Sequence, residues 1–332
     1  MKEFLQSSTA IYAKCHALYG KALTGEDYSV LAACKTLGDV AAYLKSRTQY
    51  AAVLDKLHAP TISRGQLELQ LKSHLFHQFI AMCKYDKRLG EKLQRCFLLR
   101  GEAQQILSCL RLLNSRHTDD FLLSLPLYFQ DYTKIDLLTL AQCISPDEVL
   151  KTLEHTEFHK LLAPLLENFN INEIERVFDD FLHRKLLKLL KNDAAVQYLE
   201  LGRDMKALGI CYRLKKYLNA SPDEIKTSFS RLTKKQAQAL IEAPDEQEFM
   251  RVLSETCYSK GFSKGGWLYF EDSAARILYA HALHNFRYTR DGAVCALAYL
   301  DLGEIELQNL THIIEGIRFN AETMEIQRAL IQ

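Results

Sequence analysis

Two short motifs occur in the same order three times along the chain, and this recurrence restricts the fold more than any other feature of the sequence. The first is a pair of short apolar-periodic segments ending in threonine, any residue, aromatic. It reads Val40–Leu44 then Thr48-Gln49-Tyr50, Val149–Leu153 then Thr156-Glu157-Phe158, and Phe249–Leu253 then Thr256-Cys257-Tyr258. The threonines are 108 and 100 residues apart. The second motif is an acid ahead of a helical apolar pattern. Glu102, Asp204 and Glu306 stand 102 and 102 residues apart and precede Ile106–Leu113, Leu208–Lys215 and Leu310–Ile317. Each acid is expected to open its helix, in the first turn, where the positive end of the helix dipole favours a carboxylate.

The expected fold is all-α, built from three related units at 1–118, 119–227 and 228–332. Apolar residues recur at steps of three and four nearly everywhere, as in Leu67, Leu71, Leu75 and Phe79. Long helices are predicted near 66–86, 171–192 and 271–288. Tetrapeptides at Ser145-Pro146-Asp147-Glu148, Ser221-Pro222-Asp223-Glu224 and Ala243-Pro244-Asp245-Glu246 read as helix starts. Proline suits the first helical position and serine caps an orphan N–H, so Ala243 marks the weakest of the three. Three units of one chain would most naturally pack about a pseudo-threefold axis, as a ring, cone or funnel.

The charge balance argues against one class of partner, although a local basic face stays open. Forty-two Lys and Arg against forty-one Asp and Glu leave a net charge of +1, without the basic excess of a nucleic-acid binder. With 48% hydrophobic and 25% charged residues, the chain has apolar surface enough for a core. Its nine cysteines are scattered and include no C-x-x-C pair, so they read as free thiols in a reducing compartment. The N-terminal stretch does not read as a signal peptide. The longest uncharged runs, Phe121–Gln130 and Leu137–Pro146, fall far short of the ~20 apolar residues of a membrane span.

Motifs for chemistry are weak. His155 and His159 share the i, i+4 spacing of zinc proteases, but Thr156 stands where those enzymes carry glutamate. The glycine-rich stretch from Gly261 to Trp267 lacks the order of a phosphate loop. It reads as a partner-facing loop, with Phe262, Lys264 and Trp267 as contact residues. His183 to Lys191 is basic and amphipathic, and reads as a core helix with a solvated basic face. Glu102, Asp204 and Glu306, like Thr48, Tyr50, Thr156, Phe158, Thr256 and Tyr258, are assigned structural roles. No catalytic, cofactor-binding or metal-binding residue is assigned.

Several segments resemble the C subunits of V-type ATPases, the family of eukaryotic subunit d. Tyr12-Ala13-Lys14 and Leu23-Thr24-Gly25-Glu26-Asp27-Tyr28 are similar to the opening of that family. Tyr43-Leu44-Lys45 with Thr48-Gln49-Tyr50 looks like its YLK-x-T-x-Y segment, and Glu306-Leu307-Gln308-Asn309-Leu310 resembles its E-x-x-N-L helix. Where the family tends to carry basic residues after that asparagine, this chain has Thr311, Glu315 and Ile317. The resemblance implies a non-catalytic rotor adaptor on the cytoplasmic side of a membrane. Its partners would be central-shaft subunits and the proteolipid ring of an ATP-driven or ATP-making pump for protons or sodium. It implies no cofactor, no small-molecule substrate and no nucleic acid. The alternatives from the residues alone are a generic helical interaction scaffold unrelated to a pump and an enzyme with a dispersed site.

Overall fold

The computed structural model describes residues 2–55, 57, 62–115, 125–262 and 270–332. Among them every regular element is helical. The chain divides into two compact units, Met1–Lys191 and Asn192–Gln332.

The first unit begins with α1 (Lys2–Tyr19), α2 (Gly25–Ala32), α3 (Leu37–Arg47) and α4 (Ala51–Leu54). Thr24 and Thr36 start α2 and α3 with capping boxes, each exchanging hydrogen bonds with an aspartate three residues on. Two long helices follow, α5 (Arg64–Cys83) and α6 (Lys87–Ser115). Their junction is tight. A Cβ on Gly90 would lie 1.7 Å from the Cys83 carbonyl oxygen, so only glycine fits there. A 3₁₀ turn at Leu127–Tyr132 leads to α7 (Leu137–Gln142), α8 (Pro146–Thr152) and α9 (His159–Leu162). The unit closes with α10 (Ile171–Leu190).

The second unit contains α11 (Asp193–Leu218), a 3₁₀ turn at Pro222–Glu224, α12 (Lys234–Glu242), α13 (Glu246–Ser254), α14 (Ser259–Phe262), α15 (Phe270–Tyr288), α16 (Gly292–Arg318) and α17 (Thr323–Ala329). One order of elements therefore recurs. Two short helices, a threonine turn, a one-turn helix, a helix of 20, 20 or 19 residues and one of 29, 26 or 27 residues follow each other three times.

In each unit a core cluster lies between a long helix and the short helices that come after it in sequence. Ile106 and Leu110 of α6 pack with Leu140, Val149, Leu153, Phe158 and Phe178. Leu208 and Cys211 of α11 pack with Leu240, Phe249, Leu253, Tyr258 and Phe270. Burial of each such side chain contributes roughly 1.5–3 kcal/mol. Gly292–Leu300 of α16 is buried at every position, the mark of a helix surrounded by protein rather than lying on a surface.

Two expectations about helix starts need correction. Glu102, Asp204 and Glu306 do not open helices; they lie inside α6, α11 and α16. The helices begin 15, 11 and 14 residues earlier, and α11 and α16 start at side-chain caps, Asn192 and Asp291. The glycines near the acids are carried within them. Gly101 has a packing reason, since a Cβ there would press on the Phe129 ring at 3.0 Å. Of the three proline starts, only Ser145 caps an α-helix as expected, accepting from the Glu148 N–H. Ser221 heads a single 3₁₀ turn. In the third, Asp245 replaces Ala243 as the cap and accepts from the Glu248 N–H at 2.8 Å, because Ala243 has no acceptor to offer.

Candidate functional site

The recurring residues form two kinds of fastening. The threonine turns come first. Thr48 donates its hydroxyl to the Leu44 carbonyl (2.7 Å) and accepts from the Tyr50 N–H (3.3 Å). Thr156 does the same with Leu153 (2.8 Å) and Phe158 (3.2 Å). Thr256 does so with Leu253 (2.7 Å) and Tyr258 (3.2 Å). Each hydroxyl thus satisfies a helix-end carbonyl and the N–H of the aromatic at once. The aromatics are buried. Tyr50 meets the His74 ring at 4.8 Å, and Phe158 meets Phe178 at 5.0 Å.

The acids are the second fastening. Glu102, Asp204 and Glu306 are 3%, 0% and 7% exposed, buried within their helices rather than in the first turn expected for them. Asp204 accepts three hydrogen bonds, from the Ser230 N–H (2.6 Å), the Arg231 N–H (2.9 Å) and the Tyr258 hydroxyl (2.6 Å). Glu102 accepts from the Thr133 hydroxyl (2.9 Å) and has Arg95 at 4.0 Å. Burial raises the Glu102 pKa, against the lowering by Thr133 and Arg95. Burial and then the neighbouring Asp204 carboxylate raise the Tyr258 pKa, so its proton stays in place. A buried acid midway along a long helix therefore grips the loop that precedes the next short helix, in α6 and again in α11. Tyr258 joins both motifs, since one residue of a threonine turn donates to one of the acids.

In the first two turns the middle residue reaches the following long helix. Gln78 donates to Gln49 at 2.9 Å. Glu157 pairs with Lys185 and, at 3.1 Å, with Arg95. Burial alone would raise the Glu157 pKa, but these two cations hold it below the ordinary value. Part of the basic run is thus spent inside the first unit: Lys185 on Glu157, while Arg184 donates to the Asp180 carbonyl.

Other expected sites fare differently. His155 sits in a turn before α9, so it does not share a helical face with His159. Phe262 stacks on Phe270 at 4.7 Å, within its own unit. Lys264 and Trp267 lie outside the described residues. Glu102 belongs to the first unit, and Asp204 and Glu306 to different helices of the second. All nine cysteines are free. Burial pushes Cys83, Cys96 and Cys109 up to about 12, which keeps them as thiols. Among the described residues no group of three or more His, Cys, Asp or Glu is placed to hold a metal ion.

Some linked residues were not singled out from the sequence. Cys109 donates to the Leu140 carbonyl (3.4 Å) and Cys211 to that of Leu240 (3.8 Å). These cysteines are 102 residues apart, the same step as the acids, so the repeat register could have found them. Thr133 and Arg95 carried no such signal.

The model for the family described as ATP synthase (C/AC39) subunit matches residues 11–329. The chain belongs to the ATP synthase (C/AC39) subunit family. The match spans nearly its whole length, so the C/AC39 assignment covers both compact units. No single curated protein matches the sequence. As a C/AC39 chain it is a subunit of a V-type ATPase complex. No helix among its described residues is long and apolar enough to cross a membrane.

Proposed function

We propose that this C/AC39 subunit is a non-catalytic central-stalk adaptor, coupling the rotor shaft to the membrane proteolipid ring during ATP-linked proton or sodium transport. The family match over residues 11–329 carries this reading. The internal use of the motif residues supports it. Buried acids and threonine hydroxyls fasten loops to long helices, and a part that transmits torque needs such stiffness more than reactive groups. In this reading the chain binds the cytoplasmic side of the membrane through the ring rather than by entering the bilayer.

The architectural part of the proposal is three tandem units, 1–118, 119–227 and 228–332, about a pseudo-threefold axis. The recurring element order and the like-bonded Thr48, Thr156 and Thr256 support it. The test is reconstitution. Pump lacking this chain should hydrolyse ATP without moving ions, and the purified chain should restore coupling and co-purify with shaft and ring. A chain that binds neither, beside a shaft that binds the ring directly, would refute the adaptor role.

A further inference from the structure

The hydrogen bonds from α15 and α16 to the segment that follows α16 all go to its main chain. Asn309 of α16 donates its amide to the Ile331 carbonyl (2.9 Å) and accepts from the Ile331 N–H (2.8 Å). Arg276 of α15 donates to the carbonyls of Leu330 (3.0 Å) and Arg328 (3.3 Å). His312 Nδ1 donates to the Ala329 carbonyl at 3.2 Å. None of these contacts reads a side chain of the segment. Side-chain recognition falls to Ile326, Leu330 and Ile331, which are buried, while the six other residues of α17 are exposed. The floor under Ile326 is Gly316, where a Cβ would come within 2.5 Å of it. Backbone hydrogen bonds for affinity and a few apolar anchors for specificity are how a groove recognises a peptide.

The segment is also built to come away. Seven residues are too few for a helix to persist alone in water, so α17 folds only when docked. The connection is a short turn with Asn320 in the left-handed region (φ 53°), closed by the Ala321 N–H on the Gly316 carbonyl (2.9 Å). Three anchors are few beside the unbroken burial of Gly292–Leu300, so opening the segment costs much less than unfolding the bundle.

We propose that α15 and α16 form a segment-binding groove, and that Thr323–Ile331 occupies it as an exchangeable strap. Release would bare the groove lined by Arg276, Asn309, His312 and Gly316.

Hydrogen exchange on the full chain tests the strap. The bonded amides of Ile326, Leu330 and Ile331 should exchange at least roughly tenfold faster than those of Ile313 and Ile314, with little dependence on denaturant. Exchange of all five at one denaturant-dependent rate would overturn the proposal. A second measurement tests the groove. A full chain carrying Leu330→Asp and Ile331→Asp should bind a fluorescent peptide of residues 321–332 at least about tenfold more tightly than the unsubstituted chain does, because its own strap no longer competes. Adding Asn309→Ala should weaken that binding. A folded variant that does not bind the peptide would refute the groove. If the variant does not fold, the exchange measurement decides alone. Neither readout depends on pump assembly.

Discussion

Asn192 and Asp291, 99 residues apart, cap two different long helices and are hydrogen-bonded to each other. The Asn192 amide oxygen accepts the Ala194 and Ala195 N–H groups that open α11, and its nitrogen donates to Asp291 Oδ2 at 2.6 Å. Asp291 Oδ1 accepts the Ala293 and Val294 N–H groups that open α16. Nearly two turns into α11, the Tyr198 hydroxyl donates to Asp301 of α16 at 2.5 Å. The two helices therefore start together and run in the same direction. Each single change to alanine should destabilise by about 1–2 kcal/mol through the lost cap. The pair should lose less than the sum, with a coupling on the order of 1 kcal/mol in a denaturant double-mutant cycle. Strict additivity would mean that the bond between the caps contributes nothing.

The Asp204 site gives a graded test. Tyr258→Phe removes one of three donors and should cost about 1 kcal/mol. Asp204→Ala leaves the Ser230 and Arg231 N–H groups and a tyrosine hydroxyl without their acceptor. It should cost about 3 kcal/mol or more and speed amide exchange at residues 230 and 231. Equal losses from the two changes would show that the loop is held elsewhere.

The threonine turns depend on a hydroxyl, not on shape. Thr156→Val should cost about 1 kcal/mol, and Thr156→Ser should recover most of it, since serine can both donate to Leu153 and accept from Phe158. The urea midpoint reads the difference. A valine variant as stable as the original would remove the turn from the list of fastenings.

Two half-buried histidines set a pH dependence. Burial, followed by the nearby His77, lowers the His74 pKa from 6.5 to about 4. Burial also lowers that of His281, whose ring stacks on Tyr198 at 4.8 Å. The unfolded chain therefore takes up protons first as acid is added. Stability from the neutral rings is fully present above pH ~6.5 and falls as pH drops from there toward the lowered values. Glu102, whose pKa is raised, acts in the opposite sense. Between pH 7.5 and pH 5 the net loss should be on the order of 1–2 kcal/mol. His74→Leu should flatten the curve, and an unchanged slope in that variant would exclude His74 as its source.

The sequence showed three of the long helices well, the starts of the three longest and their fastenings poorly. Helical periodicity runs without a break through Leu67 to Phe79, and α5, α10 and α15 lie within a few residues of their expected limits. The acids were legible as a repeat but misplaced within it. A carboxylate ahead of an apolar run looks the same whether the helix starts there or a dozen residues earlier, and only burial separates the two. Asn309 was visible in its E-x-x-N-L setting, yet its partner lies 22 residues away and has no periodicity to betray it. Contacts from a side chain to a distant main chain leave no pattern in a single sequence, because any residue can supply the backbone.

That last property has an evolutionary consequence at Asp204. The two donors from its loop are amide N–H groups, which every amino acid except proline carries. Positions 230 and 231 are thus free to drift in identity while the anchorage is retained. Relatives should keep the carboxylate and vary the letters opposite it, avoiding one residue alone.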